Sequence, residues 1–349
     1  MKVQKLEKQR WEDYFNQSLP KIGAESVGIV PTNACNLNCI TCWSYSPLLE
    51  SKPQNSWKKQ FLDFDIFKKL LEDLAFLQTK RIILTGGGDP LVYPHFEEVV
   101  KIAKSLDIKI TLISNLTLIK NLSNFLELKI DTVQANFSAA DEESYLAFHP
   151  NRKPSDFERM MLNLEEISKR SELKLVCVIC KTNAHLIKEM LRIANSLKAN
   201  IQFKLMSITE GTEKLAISEE QRQKLLEIKD EIISFSKQFD VRHNLLVFFR
   251  TLQGKNAHSF PIEHIGCFVG YWYSRVWADG SVHFCCNPNQ SLKIGSLYHQ
   301  NFTEIWQSVD YQNLRNSMRK KQFVEGCDKC GKFDLNYKLK QNLDMNIIK

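Results

Sequence analysis

The sequence predicts an α/β protein in which parallel strands alternate with helices, followed by a smaller unit of different construction. Three observations predict it. Short β-rich segments alternate with amphipathic ones from about residue 26 to 207, the alternation ends after residue 210, and cysteines gather in two places, Cys35 to Cys42 and Cys267 to Cys330. Alternation of this kind builds parallel pairs through helical crossovers. At 349 residues the chain is long for a single core and fits two domains, or one large domain with an appendage.

Residues 1–25 are an N-terminal extension whose opening run, Met1 to Arg10, is charged and lacks an apolar centre, so it is not a secretory signal. The strand and helix array occupies 26–210. Its strands are expected at Val27 to Val30, Arg81 to Thr85, Ile108 to Ser114, Thr132 to Ser138, Lys174 to Cys180 and Ile201 to Met206. Between them Phe67, Leu70, Leu71, Leu74 and Leu77 share one helical face, as do Met190, Leu191, Ile193, Ala194 and Leu197. Ser155 with Glu158 reads as a capping box opening the helix before the fifth strand. Residues 211–262 hold a bridging helix, capped by Ser218 with Gln221 and periodic through Leu225, Ile228, Ile232 and Phe235, and then a less regular stretch from Phe239 to His264. Residues 263–335 carry the second cysteine set. The polar segment 336–349 makes either one more helix or a loose tail.

A hydrophobic fraction of 43% with 25% charged residues is that of an ordinary globular protein. The net charge of +7 is spread along the chain, and its one dense basic cluster, Arg315 to Lys321, reads as a solvated helix end. A mildly basic protein suits an anionic substrate, but nothing indicates nucleic acid. No run approaches the ~18 apolar residues of a membrane-spanning helix. Ten cysteines without an export signal point to reduced thiols and metal ligation, hence to the cytoplasm.

The chemistry begins at Cys35, Cys39 and Cys42, three thiols in one short loop after the first strand. A 4Fe-4S cluster normally takes one cysteine per iron, so three ligands leave an iron open to chelate a small molecule. A three-cysteine zinc site with a distant fourth ligand is the alternative. The second strand runs into Gly86, Gly87, Gly88, Asp89 and Pro90, and glycines there let backbone approach a ligand closely. Polar residues end the next strands: Ser114 and Asn115, Asn136 and Ser138, then Thr182 and Asn183. Each suits a ligand contact or an ordinary turn or cap. The second cysteine set comprises Cys267, Cys285 five residues after Gly280, and Cys327 with Cys330. Asp279-Gly280 marks a tight turn between Ser274 and Phe284, and this hairpin should bring Cys267 and Cys285 together. A four-cysteine zinc site is the alternative here.

The C-x3-C-x2-C spacing resembles the signature of radical S-adenosylmethionine (SAM) enzymes, and the second set resembles the twitch domain, a shortened SPASM domain; together they span roughly residues 26–335. The resemblance implies a partial (β/α)6 TIM-like barrel with its site at the strand C-termini, and a small β-hairpin plus helix cluster-binding domain. It implies two 4Fe-4S clusters: one held by Cys35, Cys39 and Cys42 that binds SAM, and an auxiliary one held by Cys267, Cys285, Cys327 and Cys330. In this family reductive cleavage of SAM yields a 5′-deoxyadenosyl radical that takes hydrogen from a substrate carbon. Gly87, Gly88, Asp89 and Pro90 match the family's Gly-Gly-Glu-Pro, which holds the SAM amino group, with Asp for Glu. Ser114, Asn136, Ser138 and Asn183 fall where the family contacts the SAM carboxylate and ribose. Thr41 stands where the family carries an aromatic residue, and Trp43 lies on the other side of Cys42.

Cys177, Cys180 and Cys286 remain unassigned, suit core packing, and are the candidate hydrogen donors if the substrate carbon is epimerised. The eight histidines show no ligand spacing, and His283 should share a strand face with Cys285. Tyr271, Trp272, Tyr273 and Arg275 either line a substrate pocket or pack the hairpin. Twitch enzymes with a four-cysteine auxiliary cluster include dehydrogenases of cyclitol alcohols, so the resemblance implies oxidation of a small polar substrate such as a sugar, cyclitol or nucleotide-linked sugar. A flavodoxin- or ferredoxin-type protein would donate the electron. The alternatives are peptide epimerisation or crosslinking, as in ribosomal natural products, and a non-catalytic zinc-stabilised interaction protein. Protein reconstituted without air should hold roughly eight irons, and alanine at Cys35, Cys39 and Cys42 together should leave about four and abolish SAM cleavage. Stoichiometric zinc without iron, by metal analysis, would overturn this.

Overall fold

The computed structural model describes residues 2–254, 261–287 and 289–344. Residues 255–260 of the expected connection and 345–349 of the expected tail lie outside them. The chain opens with α1 (Lys2–Asn16), β1 (Ser26–Ile29), α2 (Asn55–Lys58), α3 (Phe64–Phe76), β2 (Arg81–Leu84), α4 (Phe96–Ser105) and β3 (Lys109–Ser114). Next come α5 (Leu122–Glu127), β4 (Thr132–Asn136), α6 (Glu142–Phe148), α7 (Pro154–Ser168), β5 (Glu172–Ile179), α8 (Ile187–Ser196) and β6 (Asn200–Leu205). Helices α9 (Glu219–Glu227), α10 (Lys229–Ser236), α11 (Leu245–Leu252), α12 (Ile262–Ile265) and α13 (Val269–Trp272) precede β7 (Tyr273–Val276), β8 (Ser281–His283) and β9 (Lys293–Ser296). The chain then runs through α14 (Phe302–Trp306), α15 (Val309–Arg319) and α16 (Phe333–Asp344).

All strands form one open sheet in the order β6-β5-β4-β3-β2-β1-β7-β8-β9. The six expected strands pair in parallel, in sequence order, through helical crossovers. The hairpin does not stand apart from them: β7 pairs in parallel with β1, Ser26 opposite Tyr273 and Ile29 opposite Val276, while β8 and β9 return antiparallel. The Asp279-Gly280 turn forms as expected, with Gly280 at φ +74°. Val27, Ile29, Ile82 and Leu84 join Phe67, Leu70, Leu71 and Leu74 of α3 in the main core. Alternation along the strands turns Gly28, Arg81, Thr132 and Lys174 to the opposite, concave face.

Several elements depart from the sequence expectation, each for a local reason. The N-terminal extension is the helix α1, held because Trp11 is buried against Trp272 (ring centroids 4.6 Å) and Phe268 (5.7 Å). Helix α7 starts at Pro154, earlier than a Ser155 cap allows, and the Asp156 carboxylate accepts from Lys153 N at 3.0 Å. The Ser218–Gln221 capping box forms, but the expected single helix breaks at Ile228 into α9 and α10, which pack beside α8 and α11 rather than bridging two parts. The less regular stretch contains α11, and Asn244 ahead of it bonds both Phe203 N and Phe203 O, satisfying the edge of β6 as another strand would. In the C-terminal segment, α16 is the further helix. No described helix is long and apolar enough to cross a membrane.

The basic cluster is likewise not a solvated helix end throughout. Arg315, 2% exposed, donates to Gly270 O, Trp306 O and Gln312 Oε1 and stacks on Tyr311 at 4.0 Å, so it braces α15 against α13. Arg319 donates to Tyr14 O at 2.6 Å and ties the same helix to α1. Alanine at Arg315 should therefore cost about 3 kcal/mol through unpaired buried carbonyls, whereas alanine at exposed Lys320 or Lys321 should stay within about 0.5 kcal/mol. Urea unfolding midpoints of the variants check this.

Candidate metal and cofactor sites

The loop after β1 carries Cys35, Cys39 and Cys42, and its shape is set by hydrogen bonds within it and by neighbouring strand ends. Cys42 N donates to Cys39 O, Ser46 Oγ to Ile40 O, and Leu37 N approaches Cys35 Sγ at 3.4 Å. The loop after β2 is pressed against it. Asp89 N donates to Ala34 O, Ser44 Oγ donates to Gly87 O, and a Cβ on Gly88 would stand 1.9 Å from Ala34 O. A Cβ on Gly87 would meet Asn33 Oδ1 at 2.5 Å and the Trp57 ring at 2.7 Å. Gly88 is required by the close approach of two backbones, and Gly87 by the Asn33 and Trp57 side chains packed on it. Burial, with Asp89 and Cys42 adding repulsion, pushes the Cys35 thiol up to about 12, and burial also raises Cys39. Such thiols remain protonated until a metal displaces their protons.

His149, which showed no signal in the sequence, places Nδ1 3.2 Å from Cys39 Sγ. Burial lowers its pKa to about 4, so it is neutral at ordinary pH. Only a local register cue could have found it, since α6 ends there and delivers it to the loop from 110 residues away.

Most of the polar strand-end residues are engaged with one another. The buried Asp89 carboxylate, 3% exposed, accepts from Ser114 Oγ (2.9 Å), Asn115 N (2.7 Å) and Leu91 N (2.9 Å), which locks β2 to β3. Ser138 Oγ accepts from Val178 N, while the Asn183 amide donates to Ser138 O and Val178 O and accepts from Cys180 N, which locks β4 to β5. Asn136 is exposed at its strand end. Trp43 is 51% exposed and meets Trp57 edge-on at 5.3 Å.

The second set gathers around one space. Cys267, Cys285, Cys327 and Cys330, with Cys286 as a fifth, line a cavity of about 540 Å³. Cys267 arrives from the turn before α13 and Cys285 from the end of β8, while Cys327 and Cys330 flank a short turn ahead of α16. Burial pushes the Cys267 thiol up to about 12 and raises Cys327 and Cys330 as well. Cys286, hydrogen bonded by Cys285 and facing Lys332 and Arg275, is held well below the usual thiol range. Among the described residues no three His, Cys, Asp or Glu side chains converge closely enough to hold a single metal ion. Of the other thiols, Cys177 is fully buried in the main core, and Cys180 lies in a small apolar cluster with Ile40, Phe148 and Leu215, against which Cys39 packs. His283 does not line the cysteine cavity but stands opposite Arg275 in the hairpin.

Comparison with known proteins agrees with this layout. The Radical SAM superfamily model matches residues 29–194, and the SPASM model, an iron-sulfur cluster-binding domain, matches residues 267–331. The chain is 23% identical over 301 residues to the AdoMet-dependent heme synthase of Methanosarcina barkeri, covering 82% of this chain and 83% of that one. Streptococcus suis SuiB bound to S-adenosylmethionine superposes with a TM-score of 0.60 at 17% identity, over 84% of this chain and 68% of that one. Native anSMEcpe with bound AdoMet superposes with a TM-score of 0.60 at 18% identity, over 88% and 87%. The chain is a radical SAM enzyme with a C-terminal SPASM domain, and those domains imply iron-sulfur clusters. Gly88→Ala, which forces the two loops apart, should weaken SAM binding about tenfold or more, as a loss of ~1.4 kcal/mol would. Equilibrium binding of SAM to wild-type and variant protein of equal iron content decides it.

Proposed function

We propose that this radical SAM enzyme oxidises a carbon centre of a small polar substrate bound on the concave side of the strand C-termini, between the first cysteine loop and the SPASM hairpin. In this reading Cys35, Cys39 and Cys42 hold a SAM-binding 4Fe-4S cluster, and Cys267, Cys285, Cys327 and Cys330 hold an auxiliary one. The groups so held would supply, when bound, a 5′-deoxyadenosyl radical from SAM and an acceptor for a substrate electron. The observation that carries the reading is the cavity lined by all four cysteines of the second set, as many thiols as a whole cluster takes without substrate. A site of that kind suits electron transfer rather than substrate chelation.

The chain's own residues do the positioning. Gly87 and Gly88 expose backbone next to the first cysteine loop, and Asp89, already committed to Ser114, Asn115 and Leu91, fixes that backbone from beneath. Asn136, with its side chain open, is the strand-end residue best able to meet SAM, whereas Ser114, Ser138 and Asn183 would act mainly by holding the strand ends in place. His149, as a neutral imidazole, would donate from Nδ1 to the Cys39 thiolate, a bond that makes a ligand sulfur less electron-rich. A flavodoxin- or ferredoxin-type protein would deliver the first electron.

Incubating reconstituted enzyme, SAM and reductant with fractionated cell extract, and scoring 5′-deoxyadenosine, identifies the substrate. The product should then be two mass units lighter, with no deuterium from D2O at the reacting carbon. Cys327→Ala with Cys330→Ala should keep slow 5′-deoxyadenosine formation while losing product. A product isomeric with the substrate, one mass unit heavier in D2O through one solvent deuterium, would mean epimerisation instead, and a peptide of altered connectivity would mean crosslinking.

A further inference from the structure

On the concave face the hairpin presents polar atoms that the fold leaves without partners. Gly28 pairs with Arg275 and Ser26 with Tyr273, so both β7 side chains lie on the face of the sheet away from Val27 and Ile29. The close approach of Tyr273 to Gly28 agrees, since a Cβ there would stand 2.3 Å from the Tyr273 hydroxyl. The Arg275 guanidinium stacks on Trp277 at 4.3 Å, and the Lys332 ammonium lies 3.7 Å above the Tyr273 ring, near enough to Arg275 for the two charges to repel. His283 stands opposite Arg275 in the ladder, with its ring 5.9 Å from Trp277. Three buried nitrogens of this group have no hydrogen-bond partner: Arg275 Nε, Trp277 Nε1 and His283 Nδ1. His283 is only 4% exposed. The hairpin carboxylate, Asp279, accepts from Ser281 N and Oγ at the turn.

We propose that this group anchors an anionic part of the substrate, a carboxylate or a phosphate, between Arg275 and Lys332, with Trp277 and His283 as further hydrogen-bond partners. The proposal deepens the reading above and rests on it for the location of substrate. Buried polar groups in native proteins are almost always paired, so three unpaired nitrogens on one face mark a place where a partner arrives from outside. A guanidinium fork fits both carboxylate and phosphate oxygens, and an indole N–H can only donate. Lys332 also faces Cys285, Cys286 and Cys330. Charge balance with those thiols would account for Lys332 but not for the unpartnered nitrogens of Trp277 and His283. Across the sheet the same face carries Lys174 beside Lys204, with Glu172 and Asp334 near Lys174.

The test is calorimetric titration of anaerobically reconstituted full-length protein with inorganic phosphate and, separately, with glutarate. At least one anion should bind the wild type, and the one that binds identifies the anionic group. Arg275→Gln should weaken that binding about tenfold or more, and Trp277→Phe, which removes the indole N–H and keeps one aromatic ring, about threefold. Iron content of each variant serves as the control for folding. Absence of binding by both anions, or equal binding by wild type and both variants, overturns the proposal. Failure of the wild type to form 5′-deoxyadenosine from SAM would instead overturn the radical reading, and the titration is independent of it.

Discussion

The parallel pairing of β7 with β1 is what the remainder of the molecule is organised around. By placing the hairpin next to the first strand, it makes the second cysteine region part of the same sheet as the first. The loop with Cys35, Cys39 and Cys42 leaves the C-terminal end of β1, and β7 runs alongside in the same direction. The pairing requires Gly28, because any side chain there would collide with Tyr273. It is reinforced from behind by α1, α13 and α15, where Trp11, Trp272 and the Arg315 brace form a second layer. Trp306 Nε1 donates to Ile22 O and Gln312 Nε2 to Gln17 O, so the segment leading into β1 is clasped by the C-terminal helices.

Buried polar groups divide into two kinds. Asp89, Ser138 and Asn183 each satisfy several partners on neighbouring strands, and this rigidity holds the strand ends in place. Arg315 does the same for the helical layer behind the hairpin. Arg275, Trp277 and His283 are different, since their nitrogens are buried and unspent.

Reading the chain from its residues alone recovered the six parallel strands, because each is a short apolar run whose alternation is local and bounded by turns. It recovered the hairpin through Asp279-Gly280, whose turn preference is intrinsic to the dipeptide. The cysteine spacings were legible for the same reason: ligand chemistry is written in residue type and separation. Helix α1 was not legible, since its charged residues outnumber its apolar ones and its docking rests on contacts of Trp11 and Tyr14 with residues far along the chain. The break at Ile228 was hidden because the apolar positions stay in helical register through it.

What residue identity and spacing could indicate, then, was where the thiols gather along the chain, where glycine is needed, and which strands precede them. These follow from properties that act over a few residues. The assignment of Arg315 to a buried brace, of Ser138 and Asn183 to each other, of His149 to Cys39, and of Cys286 to the cavity wall depended on contacts between segments tens to hundreds of residues apart. A side chain's partner is set by packing, and the same serine or arginine serves as cap, brace or ligand according to what the folded chain brings within about 3 Å of it.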